Sequence, residues 1–255
     1  MAINKEGNAF TFGFAIVMVA VVGTILASLA MGLKPQKKKN EEVKKKMDIL
    51  SAFLDLEKEG ITRANAEESF KKYVDLKDAI VLDPNGKVKK GIKAFDVDIK
   101  KEYRDKNLDP KKKNYPLFIG KNKKKETVYI IPLVGKGLWG PIWGNICVGP
   151  DMQTIYGASF GHKTETPGLG AEISQEFFIK GWKKEKISYD SSTENSFEFR
   201  KFEVVKDGSG KDKWEKEGLS KVDGITGGTI TSKGVEEMAN RCLKVYVKYF
   251  KSLRK

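Results

Sequence analysis

The densest group of reactive side chains lies late in the chain, where residues 223–232 read DGITGGTITS, with three threonines, one serine and three glycines. A hydroxyl can cap a helix or accept a covalent attachment. An amphipathic, helix-like run follows this stretch. Helix N-termini offer free N–H groups and partial positive charge, so the junction suits a phosphate. Ser232 is the natural N-cap of the coming helix, and that role accounts for one hydroxyl. It leaves Thr226 and Thr229 in the preceding turn without a purpose.

Two further stretches combine glycine with groups that can hold a planar ligand. In TPGLG, Pro167 pushes Thr166 toward extended geometry, while Gly168 and Gly170 let the backbone come close to something flat or crowded. As a lone motif it is also an ordinary loop. GLWGPIWG places Trp139 and Trp143 among glycines. Indole rings stack on planar ligands, but large aromatics more often fill a core, and at least one of the two is expected there. His162 and Glu165 lie just before TPGLG, with a tuning role and a structural or solvent-facing role equally open.

Other chemistries are excluded by what is missing. Cys147 and Cys242 are far apart with no CxxC, so no zinc or iron–sulfur ligand set is indicated. They fit one disulfide or two buried thiols. The single histidine leaves no H-E-x-x-H motif. TPGLG is not a dinucleotide fingerprint, and no βαβ unit surrounds it.

The elements that must position these residues begin with an anchor. Residues 7–33 carry no charge and no polar face, enough to span a bilayer as one helix with some tilt. A cleaved signal peptide is the alternative, with SLA at 28–30 as a weak cleavage site. Against it stand the length of the apolar run and an n-region of Lys5 beside Glu6. Lysines crowd the C-terminal flank from Lys34 to Lys46, and that bias alone puts the following domain in the cytoplasm.

Beyond the anchor, residues 40–56 read as a helix with Met47, Leu50 and Leu54 at helical spacing. A second helix starts at Asn65, a candidate N-cap with Glu68 three residues on, and turns Phe70 and Val74 to one side. DPNG at 83–86 signals a turn. Val128 to Val134 is a strand, with Pro132 placing it at an end or an edge. EISQEFFIKGW reads as a short helix. SFEFRKFEVV alternates as a strand but slips phase between Phe199 and Phe202, as a bulge would cause. Residues 233–253 form the amphipathic helix, with Val235, Met238, Cys242, Val245 and Tyr249 on one stripe. Helices and mostly antiparallel strands segregate, which gives an α+β fold.

A net charge of +14 allows nucleic acid or anionic lipid as a partner. The lysines alternate with acids and lie in loop-like runs, so a solvated surface is the simpler reading, with no nucleic-acid partner. The rival from another functional class is a basic, membrane-anchored binding protein without a cofactor.

Taken in order, the anchor, GHKTETPGLG and Asp-x-x-Thr-Gly-x-Thr before the terminal helix resemble the NqrC family, one of the subunits of the Na+-translocating NADH:quinone reductase (the Nqr complex). The resemblance runs over essentially the whole chain and is strongest from Leu138 onward. That region is similar to an FMN-binding domain shared with a related subunit of the Rnf electron-transport complex, which is the nearest alternative. The long region from Asn40 to Val128 and the match at HKTETPGLG favour the Nqr form.

The resemblance implies a division into residues 1–33 as transmembrane anchor, 34–127 as a helical and lysine-rich part, and 128–255 as the FMN-binding domain. It implies FMN joined through its phosphate to Thr229, the last threonine of TGGT, not to Thr226 or Thr231. Gly228 departs from the family pattern, where alanine is usual. Asp223 matches the leading aspartate that the flavin transferase reads. That enzyme is needed because a threonine hydroxyl is a poor nucleophile without an activating base. Thr226, Gly227, Gly228, Thr166, Gly168, Leu169, Gly170, Leu138, Trp139 and Gly140 are expected around the flavin, with no metal.

The implied role is an electron relay within a Na+-pumping, multi-subunit complex that joins NADH to ubiquinone. The chain alone is expected neither to oxidise NADH nor to pump. Its domain would lie on the periplasmic side of the bacterial inner membrane, against the lysine bias, which weakens for large translocated domains.

Overall fold

The computed structural model describes residues 7–190, 197–205 and 218–254. Lys5, Glu6 and Ser196 lie outside them. Two compact units divide the chain, Met1–Lys45 and Lys46–Lys255.

Helix α1 (Asn8–Leu50) contains Pro35 and runs without a break from the apolar segment into the lysine-rich one. The sequence pattern suggested a fresh start near Asn40. Proline removes one backbone bond, but the Lys and Glu residues around and after it are good helix formers, and they carry the helix through. In the apolar segment Phe12, Ile16, Val19, Leu26 and Met31 are all exposed. Leu54 lies past the helix end yet is buried.

The second unit is built on a six-stranded antiparallel sheet in the order β2-β1-β3-β4-β5-β6. Its strands are β1 (Ile80–Leu82), β2 (Val88–Lys89), β3 (Tyr115–Lys121), β4 (Thr127–Lys136), β5 (Pro141–Val148) and β6 (Ile155–His162). The β1–β2 turn is DPNG, with Asp83 Oδ1 accepting from the Asn85 and Lys87 N–H groups and Gly86 at φ +80°. Strand β4 continues through Pro132 and is central, not an edge. The expected end or edge at Pro132 is not found, and the proline is tolerated because the β3 ladder stops at Ile130, two residues short of it.

Two small sheets complete the fold. Strands β7 (Ser188–Asp190) and β8 (Phe197–Phe199) pair antiparallel, and β9 (Lys201–Val205) and β10 (Leu219–Asp223) pair parallel. The phase slip after Phe199 is therefore a change of sheet and not a bulge. Arg200 N–H still bonds to Ile187, and Lys201 N–H already bonds to Gly218. The architecture is the mostly antiparallel α+β arrangement that the sequence suggested.

Both faces of the large sheet are covered, so its strands read as continuous apolar runs. On one face Ile131, Leu133, Ile142 and Ile146 pack against Val235, Met238, Leu243 and Tyr246 of α5 (Thr229–Leu253), with α4 (Glu176–Lys180) alongside. On the other, Phe118, Val128, Ile130 and Cys147 meet Leu50, Phe53 and Phe70, the last from α2 (Ala66–Tyr73). Cys147 and Cys242 fall in separate cores and are two free, buried thiols. Asn65 holds the N-cap position of α2, but its side chain closes the preceding loop, accepting from Thr62 N–H and donating to the Gly60 carbonyl.

Helix and sheet approach each other closely at two glycines. A Cβ added to Gly135 would lie 2.8 Å from Met238 Cβ, and one added to Gly234 would collide with the Lys136 carbonyl oxygen. In an exposed helix interior, glycine to alanine stabilises by about 0.5–1 kcal/mol. Here the sign reverses: Gly234→Ala is expected to lower stability by about 1–3 kcal/mol through overpacking, read as a fall in the urea midpoint. A midpoint that rises would show that α5 and β4 have room to part.

Candidate functional site

Three segments meet where α5 begins: the β4–β5 turn at 137–140, the loop 163–170 after β6, and the turn 224–228 after β10. Gly137 N–H to the Gly140 carbonyl closes the first turn. In the second, the Leu169 and Ala171 N–H groups both bond to the Thr166 carbonyl, which curls 166–170 into a compact loop running into a 3-10 turn (Gly170–Ser174). In the third, Gly224 N–H bonds to Val205 and Gly228 N–H to Ile225, with Gly227 at φ +75°, a conformation other residues resist.

Helix α5 starts at Thr229 with Gly228 as its N-cap, four residues earlier than the sequence reading placed it. Ser232 is therefore not the cap. It sits within the first turn, where its hydroxyl accepts from Ile225 N–H at 3.1 Å and holds the TGG turn against the helix. The signal was present: Thr231 lies four residues before Val235 and continues the buried stripe one turn further back. Glycine is an acceptable N-cap that a search for hydroxyls passes over.

This placement separates the hydroxyls. Thr231 and Ser232 are buried and bonded, whereas Thr226 and Thr229 are exposed. Thr229 occupies the first helical position, beside N–H groups that have no carbonyl a turn earlier to bond. Ile230 beside it is an exposed apolar side chain, as are Leu169 of the second segment and Leu138 and Trp139 of the first. A Cβ on Gly227 would lie 2.6 Å from Leu169 Cδ2, which joins the loop 166–170 to the TGG turn. Ile230 drew no attention in the sequence, where it reads as one more residue of an apolar stripe.

One side chain ties the first two segments to the start of α5. Glu165 is 5% exposed. Its Oε1 accepts from Trp139 N–H at 2.9 Å and Gly140 N–H at 3.1 Å, and its Oε2 accepts from the Thr231 hydroxyl at 2.6 Å. The Glu165 N–H in turn donates to His162 Nδ1 at 3.3 Å. Burial alone would push the carboxyl up. The Thr231 hydroxyl and the N–H groups of Trp139, Gly140 and Leu138 outweigh burial and hold it below the ordinary glutamate value.

Of the other expected site residues, Thr166, Gly168 and Leu169 are exposed on the loop, with Gly168 at φ +76° and its N–H on Glu172 Oε1 at 2.8 Å. Gly170 is buried against Glu165 and Thr231. Asp223 is exposed at the end of β10. Trp139 is 67% exposed, and Trp143 is half-buried on the opposite face of the sheet with Lys100 over its ring. Neither fills the core; Trp182, which the sequence reading did not single out, does.

The FMN-binding domain family matches residues 137–244, which span all three segments. The NqrC subunit of the Na+-translocating NADH-quinone reductase from Neisseria meningitidis is 30% identical over 92% of this chain and 90% of its own length. The crystal structure of the same subunit from Parabacteroides distasonis is 38% identical, superposes with a TM-score of 0.69, and covers 85% of this chain and 96% of that one. This chain belongs to the NqrC family of Na+-translocating NADH-quinone reductase subunits. The Haemophilus ducreyi member, 28% identical over 91% of this chain and 88% of its own, extends the likeness over the same span. Within the NqrC family the fold is shared, and the FMN-binding match falls on the part of the chain that carries Glu165 and the start of α5.

Because the folded pKa of Glu165 is depressed, its network adds stability that is complete above the ordinary value of 4.5 and is lost as pH falls through the folded value. Wild type should lose stability relative to Glu165→Gln as pH falls below the ordinary value of 4.5, followed by thermal unfolding across a series of acid pH values. A difference that stays constant with pH would mean that folding does not shift the Glu165 pKa, and one that moves the other way would mean that the carboxyl is protonated in the folded state.

Proposed function

We propose that this chain is the membrane-anchored flavoprotein subunit of a Na+-translocating NADH-quinone reductase, carrying FMN as a phosphoester on Thr229. The observation that carries the reading is the placement of Thr229, an exposed hydroxyl at the first turn of a 25-residue helix where segments with exposed apolar side chains converge. The residues fit the group. A phosphate on Thr229 meets the free N–H groups and positive end of α5. Leu138, Trp139, Leu169 and Ile230 give a planar ring an apolar surface to cover, and the loop 166–170 borders it. FMN bound there would supply electron transfer, accepting electrons from one neighbouring redox centre and passing them to the next.

The chain's own part is to hold and orient. Thr229 fixes the phosphate end, Gly227 and Gly228 let the loop 166–170 come close, and the apolar rim excludes water from one side of the site. Burial and nearby dipoles then set the potential, which is the protein's usual contribution to a cofactor's chemistry. A separate flavin transferase attaches the group, with Asp223 exposed at the head of the motif for it to read. The working partners are the other subunits of the reductase, so the chain alone neither oxidises NADH nor moves Na+.

For the anchor, support comes from α1, one helix long and apolar enough to cross a membrane, none of whose apolar window is buried within the chain. We place the domain on the periplasmic side of the bacterial inner membrane, where the family resemblance puts it. The lysines after the apolar run argue the other way, but charge bias weakens for large translocated domains.

The test is to express the full chain with a flavin transferase and compare it with Thr229→Ala and Thr226→Ala. In-gel flavin fluorescence after denaturation, and a mass gain of FMN less water, should appear in wild type and Thr226→Ala and be absent from Thr229→Ala. A label that survives in Thr229→Ala would overturn the attachment site. Placing leucine at Gly168 should shift the flavin spectrum and potential, because φ +76° there strains any side chain and displaces the loop. An unchanged spectrum would remove that loop from the site.

A further inference from the structure

The buried Glu165 carboxylate has no cationic partner among the described residues, for no ion pair includes it. Its donors are two backbone N–H groups and a threonine hydroxyl, all neutral. The carboxylate is also boxed in. A Cβ on Gly137 would lie 2.6 Å from Oε1, and one on Gly170 would lie 2.6 Å from Oε2. Neutral dipoles can hold a charge in place without cancelling it. The nearest compensation is the positive end of α5, where Thr231 sits two residues beyond Thr229.

We propose that Glu165 is the positioning residue of the flavin site and its fixed negative charge, locking the 138–140 turn and the first turn of α5 to the loop 163–170 and holding the flavin's reduction potential low. The inference rests on the flavin reading above. Reduction adds negative charge to the ring, and a buried carboxylate with no cationic partner, bonded to Thr231 two residues beyond the tether, opposes it. The same hydrogen bonds fix where Thr229 stands relative to Leu138, Trp139 and Leu169. Loss of the carboxylate therefore acts on two separable properties, the order of the loops and the potential.

Glutamine divides the two. In Glu165→Gln the amide oxygen still accepts from Trp139 and Gly140, and the amide N–H can donate to the Thr231 hydroxyl, so the shape is kept and the charge removed. In the flavinylated full chain, the one-electron midpoint should rise in Glu165→Gln by about 59 mV, which is a tenfold change in the reduction equilibrium. Thr231→Val keeps the charge and cuts one bond, and its midpoint should stay close to wild type. Order is read without flavin, in full chain made without the transferase. Amide hydrogen exchange at Trp139 and Gly140 should accelerate at least tenfold in Glu165→Ala and stay near wild type in Glu165→Gln.

A flavinylated Glu165→Gln with an unchanged midpoint overturns the charge. If that variant takes no flavin, Thr231→Val decides, and a midpoint that rises there although the charge remains overturns it equally. Unchanged exchange in Glu165→Ala overturns the positioning role. A wild type that stays dark beside a transferase labelling another substrate sinks the flavin reading instead, while the exchange result still judges Glu165.

Discussion

The approach of α5 to β4 governs the arrangement of the site. Gly135 makes room on the strand for the Met238 side chain, and Gly234 makes room on the helix for the Lys136 carbonyl, so helix and strand come closer than a side chain at either glycine would allow. Further along, Val235, Met238 and Leu243 bury their side chains on the same face of the sheet. This packing fixes the axis of the helix. It also fixes where its first turn ends up, beside the β4–β5 turn that begins at the next residue of the same strand. The Thr229 hydroxyl is presented where it is because a long helix is seated on the sheet from Gly234 onward, and the five residues before that point project beyond the contact.

A helix N-terminus that overhangs a sheet leaves its first N–H groups to water or to another group. Inside, Glu165 takes the Thr231 hydroxyl, and the Ser232 hydroxyl turns back to Ile225 N–H. Outside, Thr229 and Ile230 face solvent. The inner acceptor makes the outer position usable. Without a buried carboxylate to hold the turn 137–140 and the loop 163–170, the two would have only the Lys163–Pro141 backbone bond and packing to keep them around the helix start. A binding surface made of loops is precise only when something buried ties the loops together, and here one ionised side chain does so with three hydrogen bonds.

Most of the fold could be read from the sequence because its signals are periodic. Val235, Met238 and Cys242 mark one face of a helix by spacing alone, and the uncharged stretch before Lys34 is unmistakable in length. Element ends were the weaker part. A helix starting at residue 40 is instead the last part of α1, which runs on through Pro35 because a proline costs one bond in a helix that has many. Ser232 looked like a cap because its side chain suits one, and its hydroxyl instead serves a turn that closes only in three dimensions. Glu165 marks the limit of such reading. Its partners lie 25, 26 and 66 residues away, and nothing in TETPGLG says whether the glutamate faces water or the core.

Gly228 shows how the departure from the family pattern and the local packing bear on each other. Its backbone, at φ −101°, is open to any residue, so conformational freedom is not why glycine stands there. Space is the better account. A methyl on Gly228 would lie 3.0 Å from Ile225 Cγ2 and 3.1 Å from the Leu169 carbonyl oxygen, tighter than ordinary contact but short of a collision. The alanine usual at this place would need the loop 166–170 to draw back by a few tenths of an ångström. Leu169 is one of the apolar side chains beside Thr229, and Gly170 follows it against Glu165, so that retreat would act on the rim and on the buried carboxylate together. The missing methyl and the close approach of this loop are two sides of one packing solution.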